Sequence, residues 1–580
     1  MSKFFLKIVE AQPIFAGGND GCSRRQCQNF FLKIVEAQPI FAGGNDGWSR
    51  TQCQNFFLKI VEAQPIFTIA KIDVFTEKRY SRRKKIVHYT KKLYFCTILS
   101  NVNIAYSVRF MRYRLTKFQM LLLLAEVIAV AVLAVVATGH FGIVDGMRIT
   151  AAYLVAYLVP LFLLKRARGT SDAAHGVFLL IAIFMSILAL DCLVSWTSAD
   201  GYSLQRPNLP GDARDYYKWA LWRYDGSAIN KGVTFPGFPL MMLGLWKVFD
   251  LSVIWPQAMN MMFTMSSVVL TGKMTRRLLT HYLPASPSNL LLGGMSLMCI
   301  LPFYLVSGVL ILKEGVTFLA FTMGGYALVS LAGKDRREFY VRDFIIFLIA
   351  CVMLAFVRTT FLYFMAVGVI VMTLPHWRRD WLLSLLLLLL IALLMLLGNH
   401  FAAYSFYRHA EVVDGGWNMQ RAFNRYYDES IIGFYFLYSP WHRLLLLPLT
   451  MAVQFFLPFP VPWIPVAEVP YLQCVFSRLT YGWYLFGGTA VFYCLFMAWR
   501  RSESIGAWTW WPVIIYVITA YVMGGTMARY VLPFQPLMVP MVLFVLYRLH
   551  QGHWRRPYII WMAVLVVLLL AGLIYYSLWR

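Results

Sequence analysis

The chain has 580 residues, of which 59% are hydrophobic and 14% charged, with a formal net charge of +26. That much apolar surface cannot be hidden in a soluble domain, so composition excludes an ordinary globular protein and points to an all-α polytopic membrane protein. The charge does not indicate a nucleic-acid partner. Residues 1–118 carry 20 Lys/Arg against 7 Asp/Glu, half of the net excess, and the rest lies in short loops between apolar runs, as positive-inside topology requires.

Residues 4–67 hold a tandem repeat, FFLKIVEAQPIFAGGNDGCSRRQCQN followed by FFLKIVEAQPIFAGGNDGWSRTQCQN and a truncated FFLKIVEAQPIF. A period of about 26 residues suits a solenoid, but two and a half copies are too few to stack a core. The copies differ only at Cys22/Trp48 and Arg25/Thr51, so recent duplication accounts for them. A basic run, KRYSRRKKIVHYTKK (Lys78–Lys92), follows and reads as a solvated tail. Residues 1–110 are therefore expected to be an extension, and Met111 or Met120 a more natural start for the membrane domain, 111–580. The nine cysteines are scattered without CxxC or Cys/His spacing, which indicates neither a zinc site nor a disulfide framework.

Basic flanks orient the apolar runs. Gln119–Thr138 leaves the cytoplasm, Ile149–Leu164 returns to KRAR, and Val177–Trp196 goes out again. The polar interval 198–253 then lies on the external face, with Phe235–Phe249 as an interfacial helix. Gln257–Leu270 runs in to KMTRR; Leu290–Val309 and Val316–Leu331 form the next pair, followed by Phe344–Phe356 and Phe361–Leu374. Leu382–Leu397 exits to a second external loop, 399–442, and the Pro-broken Leu444–Pro465 reads as re-entrant or interfacial. Tyr484–Trp499, Trp508–Tyr521, Val531–Tyr547 and Ile559–Leu578 complete about thirteen spans. This assignment puts Asp212, Asp215, Glu314, Arg358 and Arg529 on one side. Glu126 and Asp191 fall inside spans and read as buried acids.

Sugar transfer from a lipid-phosphate donor needs a carboxylate to take the proton of an acceptor hydroxyl and cations to hold the leaving phosphate. Asp212, Asp215 and Glu314 are candidates for the first task; Arg358 and Arg529 are candidates for the second. Tyr216 and Lys231 of the first external stretch, and Arg421 of the aromatic and Arg-rich second loop, are further substrate-binding candidates. Each has a plainer reading: Asp212, Arg214 and Asp215 as a solvated cluster, Glu314 as a cap paired with Lys313, and Arg529 as a snorkelling side chain. No ligand spacing demands a metal, although a divalent ion beside the acids is compatible with the pattern.

The order of these parts resembles the GT-C class of polyprenyl-phosphate-sugar-dependent glycosyltransferases, of the protein O-mannosyltransferase and lipid A aminoarabinose transferase type. GDARDYYKWA (Gly211–Ala220) is similar to that family's acidic first loop, with Asp212 the better counterpart and Asp215 the alternative. FPGFPLMMLGLWKVF (Phe235–Phe249) resembles its Pro-rich turn into an interfacial helix. ILKEGVTFLAF places Glu314 as its second acid, and MARYVLPFQPL places Arg529 and Pro533 as its late basic motif. The resemblance implies a GT-C-like helical fold and transfer of a sugar from a polyprenyl-phosphate donor on the external face, with a carboxylate as general base and inversion at the sugar. Two features depart from the family: an Asp-x-x-Asp spacing in place of adjacent Asp-Glu, and an extra hairpin, Gln119–Leu164.

Two other functions compete. A polymerase of lipid-linked repeat units would use Arg408, His409, Arg421 and Arg425 and tolerate loss of Asp212. A flippase or transporter would need midplane ionisable groups and repeated span patterns, and no such repeat is visible. Basic loops fit a multi-pass protein of a bacterial inner membrane. A chain starting at Met111 is expected to insert into membranes at the yield of the full chain; failure of the shorter chain to insert would make residues 1–110 part of the working protein.

Overall fold

A computed structural model describes residues 117–167, 170–226, 237–331, 341–410, 441–447, 489–499, 507–523, 531–552 and 555–564, with isolated positions such as Met451 and Trp483. The chain divides into two units, Met1–Arg114 and Leu115–Arg580. The first unit, with the repeats and the basic run, lies outside the described residues.

The described part of the second unit is helical. Its helices are α1 (Lys117–Lys165), α2 (Asp172–Thr197), α3 (Gly211–Tyr224), α4 (Gly237–Val248), α5 (Ile254–Leu279), α6 (Pro287–Cys299) and α7 (Pro302–Val309). They continue with α8 (Glu314–Leu331), α9 (Val341–Val357), α10 (Thr360–Thr373), α11 (Trp377–Ala410), α12 (Thr489–Trp499), α13 (Trp510–Met523) and α14 (Gln535–His550). Among the described residues, five helical stretches are long and apolar enough to cross a membrane: Phe118–Lys165, Asp172–Thr197, Glu314–Leu331, Thr360–His400 and Leu532–His550. The protein is therefore membrane-embedded, because only helices or closed barrels satisfy their backbone groups inside lipid.

Local signals set several helix starts. Ser171 caps α2, its hydroxyl accepting from Ala174 N. Ser286 caps α6 in the same way ahead of Pro287. Within α1, Gly142 leaves the helical region at φ 80°, a conformation that glycine adopts without a Cβ penalty. Gly146 then packs against Thr138, so the chain reverses here. The two halves of α1 correspond to the expected Gln119–Thr138 and Ile149–Leu164 hairpin.

The centre of the unit is α5, buried along almost its whole length. One face carries Gln257, Asn260, Thr264, Ser267, Thr271 and Thr275, all buried and recurring every three or four residues, which is helical spacing. Neighbouring helices approach this face through small residues. A methyl group on Gly308 would overlap the Thr264 side chain, and one on Gly294 would fall 2.8 Å from Thr275 Oγ1. Close backbone approach of this kind is how helices associate where lipid removes the hydrophobic incentive. Hydrogen bonds also tie α5 to its neighbours: Tyr153 Oη donates to Gln257 Oε1 at 2.6 Å, and Ser267 Oγ lies 2.6 Å from Tyr304 Oη.

Helices α5 and α8 run parallel. Asn260, near the start of α5, lies beside Gly315 at the start of α8. Near the other end, Arg277 of α5 meets Ser330 of α8 and Asp343 of α9. Glu314 and Ser330 are sixteen residues apart, about 24 Å of helix rise, close to the hydrocarbon thickness of a bilayer. The first polar end gathers Arg148 with Asp250 (α1 to the α4–α5 turn), while the second gathers Gln119 with Asp172. This two-ended arrangement agrees with the alternation expected from basic flanks.

Four expectations need revision. Residues 399–410, expected as loop, continue α11. The expected span Leu290–Val309 is two helices separated at Ile300 and Leu301, just ahead of Pro302, since proline removes an amide donor and clashes with the preceding turn. Glu126 is not buried within the protein; it lies exposed on α1 among apolar residues that are themselves exposed. Residues 211–224, expected as part of a loop, form α3.

The packing against α5 is directly testable. Gly308→Ala is expected to lower the melting temperature in detergent, with overpacking costing about 1–3 kcal/mol. Gly244→Ala, where a methyl group meets open space, should be neutral or stabilising by up to about 1 kcal/mol through helix propensity. Equal melting temperatures for the two variants would contradict the close approach of α7 to α5.

Candidate functional site

The first polar end of the bundle holds five of the candidate residues that are described, Asp212, Asp215, Tyr216, Glu314 and Arg358. Helix α3 begins after Pro210 and Gly211, whose φ of 46° lets the chain turn sharply into the helix. Asp212 in its first turn is exposed, Asp215 is half-buried, and Tyr216 and Tyr217 are buried. The buried face of α3 packs on α4. Tyr217 meets Trp246 edge-on with ring centroids 4.9 Å apart, and Tyr216 meets Phe238 at 5.9 Å. Tyr217 Oη donates to Gln205 O at 2.8 Å, closing the preceding loop, and burial pushes its phenol pKa well above the usual range. Trp246 Nε1 in turn donates to Ser252 O at 2.9 Å. An aromatic lattice thus holds the Asp212–Asp215 face outward.

Helix α4 docks at the end of α9. Gly237 rests against the backbone and ring of Phe356, a fit that any side chain at Gly237 would break. Two residues on, Arg358 Nη1 stands 3.6 Å from Glu314 Oε1, and both side chains are almost sealed, at 5% and 3% exposure. Glu314 is the first residue of α8 and Arg358 follows the last residue of α9. The carboxylate therefore sits at a helix N-terminus and the guanidinium at a helix C-terminus, where each macrodipole favours the charge it receives. The guanidinium also lies over the Phe361 ring, 4.9 Å from its centroid.

The remaining link is Lys313. Its ammonium lies 5.6 Å from the centroid of Tyr216, joining α3 to the turn that carries Glu314. Lys313 is half-buried, whereas Arg358 is buried. Below the turn, Asn260 Nδ2 donates to Leu310 O at 2.6 Å and to Leu312 O at 2.8 Å. A methyl group on Gly315 would fall 2.7 Å from Asn260 Oδ1, so the turn is held from α5 as well.

Contacts thus join Tyr216, Glu314 and Arg358 at one end, with Asp212 one turn ahead of Tyr216 and Asp215 next to it on α3. Lys231, Arg421 and Arg529 lie outside the described residues, as do Arg425 and most of the second loop. Of the plainer reading of Glu314, its place at a helix N-terminus is observed, and its ion pair is with Arg358. Sequence reading had treated Lys313 only as a capping partner, and no local signal places its ammonium over a ring nearly a hundred residues earlier. Among the described residues, no three His, Cys, Asp or Glu side chains come together as a metal site. No family model, curated protein or solved structure matches this chain.

The ion pair makes a quantitative prediction. Glu314→Gln or Arg358→Met alone leaves a buried charge without its counter-charge and is expected to cost about 3–5 kcal/mol. The double variant should cost markedly less than the sum, with a coupling of about 0.5–3 kcal/mol in a double-mutant cycle of detergent unfolding. Additive losses would mean that the two groups do not depend on each other.

Proposed function

We propose that this protein is an integral-membrane glycosyltransferase that moves a sugar from a polyprenyl-phosphate donor to an envelope lipid, glycan or protein acceptor. The observation that supports it best is the joining of a carboxylate-bearing amphipathic helix, α3, to the Lys313–Glu314–Arg358 turn at one end of the bundle. The resemblance of GDARDYYKWA and ILKEGVTFLAF to GT-C enzymes adds to it. In this reading the protein works in a bacterial inner membrane with this end facing outward.

The roles divide by exposure. Asp212 or Asp215, which solvent and an acceptor can reach, takes the proton of the acceptor hydroxyl. The freed oxygen attacks the anomeric carbon, the bond from that carbon to the phosphate oxygen breaks, and its electron pair leaves with the lipid phosphate. The sugar is inverted. Lys313 is the cation this reading assigns to the charge developing on that phosphate. The Glu314–Arg358 pair is sealed from solvent, out of an acceptor's reach, and both groups serve to position the turn. Arg529, Lys231 and Arg421 remain assigned to donor and acceptor binding on sequence pattern alone.

Membranes carrying the protein, supplied with labelled polyprenyl-phosphate sugar, provide the test. Replacing the base by Asn, at Asp212 or Asp215, should lower transfer about 100- to 10,000-fold while insertion and melting temperature are unchanged. Lys313→Gln should weaken transfer without loss of fold. If both Asp variants keep wild-type transfer, the carboxylates are structural, and a polymerase acting through the second loop or a flippase becomes the better account.

A further inference from the structure

The opposite end of α5 carries a second constellation, which the proposed transfer does not use. Lys273, Arg276 and Arg277 occupy one face of the last turns of α5 at spacings of three and four residues, and all three are half-buried. Two exposed arginines join them from other helices, Arg166 just after α1 and Arg342 at the start of α9. Lys273 Nζ donates to Leu163 O at 3.3 Å, which draws the end of α1 against α5. Arg277 Nη2 lies 3.4 Å from Asp343 Oδ2, and Arg342 Nη2 3.0 Å from Asp343 Oδ1, so one fully buried carboxylate serves two guanidinium groups. The Arg277 guanidinium also lies over Tyr326, 5.1 Å from its centroid.

Like charges gathered this closely repel, and Lys273 registers it. Burial, together with Arg276, Arg342, Arg166 and Arg277, pulls its ammonium pKa down to about 8. A protein needing only positive-inside orientation could spread these charges along its loops. Here three helices converge them on a half-buried floor with two exposed cations at the rim, directly beyond the apolar length of α5. Cations just beyond a membrane-crossing segment fall where lipid headgroups lie, and an anion would relieve the repulsion.

We infer that Lys273, Arg276 and Arg277, flanked by Arg166 and Arg342, form a binding site for the phosphate of an anionic membrane-lipid headgroup. The site lies at the other end of α5 from Asn260, about 20 Å of helix rise away, and is independent of the sugar-transfer reading.

The test is thermal unfolding of the purified full chain in neutral detergent, titrated separately with dioctanoyl phosphatidylglycerol, dioctanoyl phosphatidylcholine and inorganic phosphate, since a ligand of the native state raises its melting temperature. Phosphatidylglycerol is expected to raise it saturably, and the other two should not. Lys273→Gln and Arg276→Gln should each weaken the apparent affinity about fivefold. Lys273→Gln should melt, without lipid, no lower than wild type, because it removes a charge from among like charges while its amide can still donate to Leu163 O. Lys273→Arg should retain binding, and Arg378→Gln, an exposed cation outside the cluster, should change nothing. Equal response to both lipids, or an equal loss in Arg378→Gln, would overturn the site. An equal rise with inorganic phosphate alone would overturn its assignment to a lipid headgroup. Should Lys273→Gln melt lower without lipid, the repulsion argument fails and Lys273 is structural.

Discussion

A carboxylate and a guanidinium, sealed from solvent and 3.6 Å apart, join the start of α8 to the end of α9. Neither charge could be buried alone at acceptable cost, so the two helix ends must meet. Once they do, the Lys313 turn is held above α3, Phe356 is presented to Gly237 of α4, and Phe361 is drawn under Arg358. Each helix terminus also offsets the charge it carries through its own dipole. From Phe361 an aromatic group continues inward to Phe321, Phe364 and Phe534, so the late segment Leu532–Phe534 packs on the same frame.

Helix α5 connects two chemically opposite ends. Its polar face is met by glycines and hydroxyls of neighbouring helices, which suits a packed mast more than a conduit. At one end it supports the turn bearing Glu314; at the other it supplies three of the five clustered cations. An acid-bearing helix beside a lysine at one surface and a cation-lined recess at the other give the two faces different tasks. The proposed sugar transfer concerns the first face and headgroup binding the second.

Much of the helical framework was legible in the residues. The apolar runs and their basic flanks located most of the helices and their alternation, and α10, expected at Phe361–Leu374, is observed at Thr360–Thr373. Reading was weaker where flanking chemistry misled. Pro210, Gly211 and the charged GDARD run look like loop, yet buried Tyr216, Tyr217, Trp219 and Ala220 give α3 an apolar face that packing on α4 stabilises. Glu126 was expected to be buried because a span cannot easily expose a charge to lipid, but which face of a single span turns outward depends on its neighbours.

What the amino-acid sequence determined by itself is the class of solution: long apolar segments in lipid must be helices, and their basic ends must alternate, because backbone groups and charges have no partner in hydrocarbon. What only the tertiary structure decided is partnership. Glu314 meets Arg358 rather than adjacent Lys313, Lys313 turns to Tyr216, and Arg166 and Arg342 come to face Lys273. Those pairings join residues tens to about a hundred positions apart. The physical reason is that a buried charge is satisfied by whatever the packing of helices brings within a few ångströms, and sequence distance carries no measure of that.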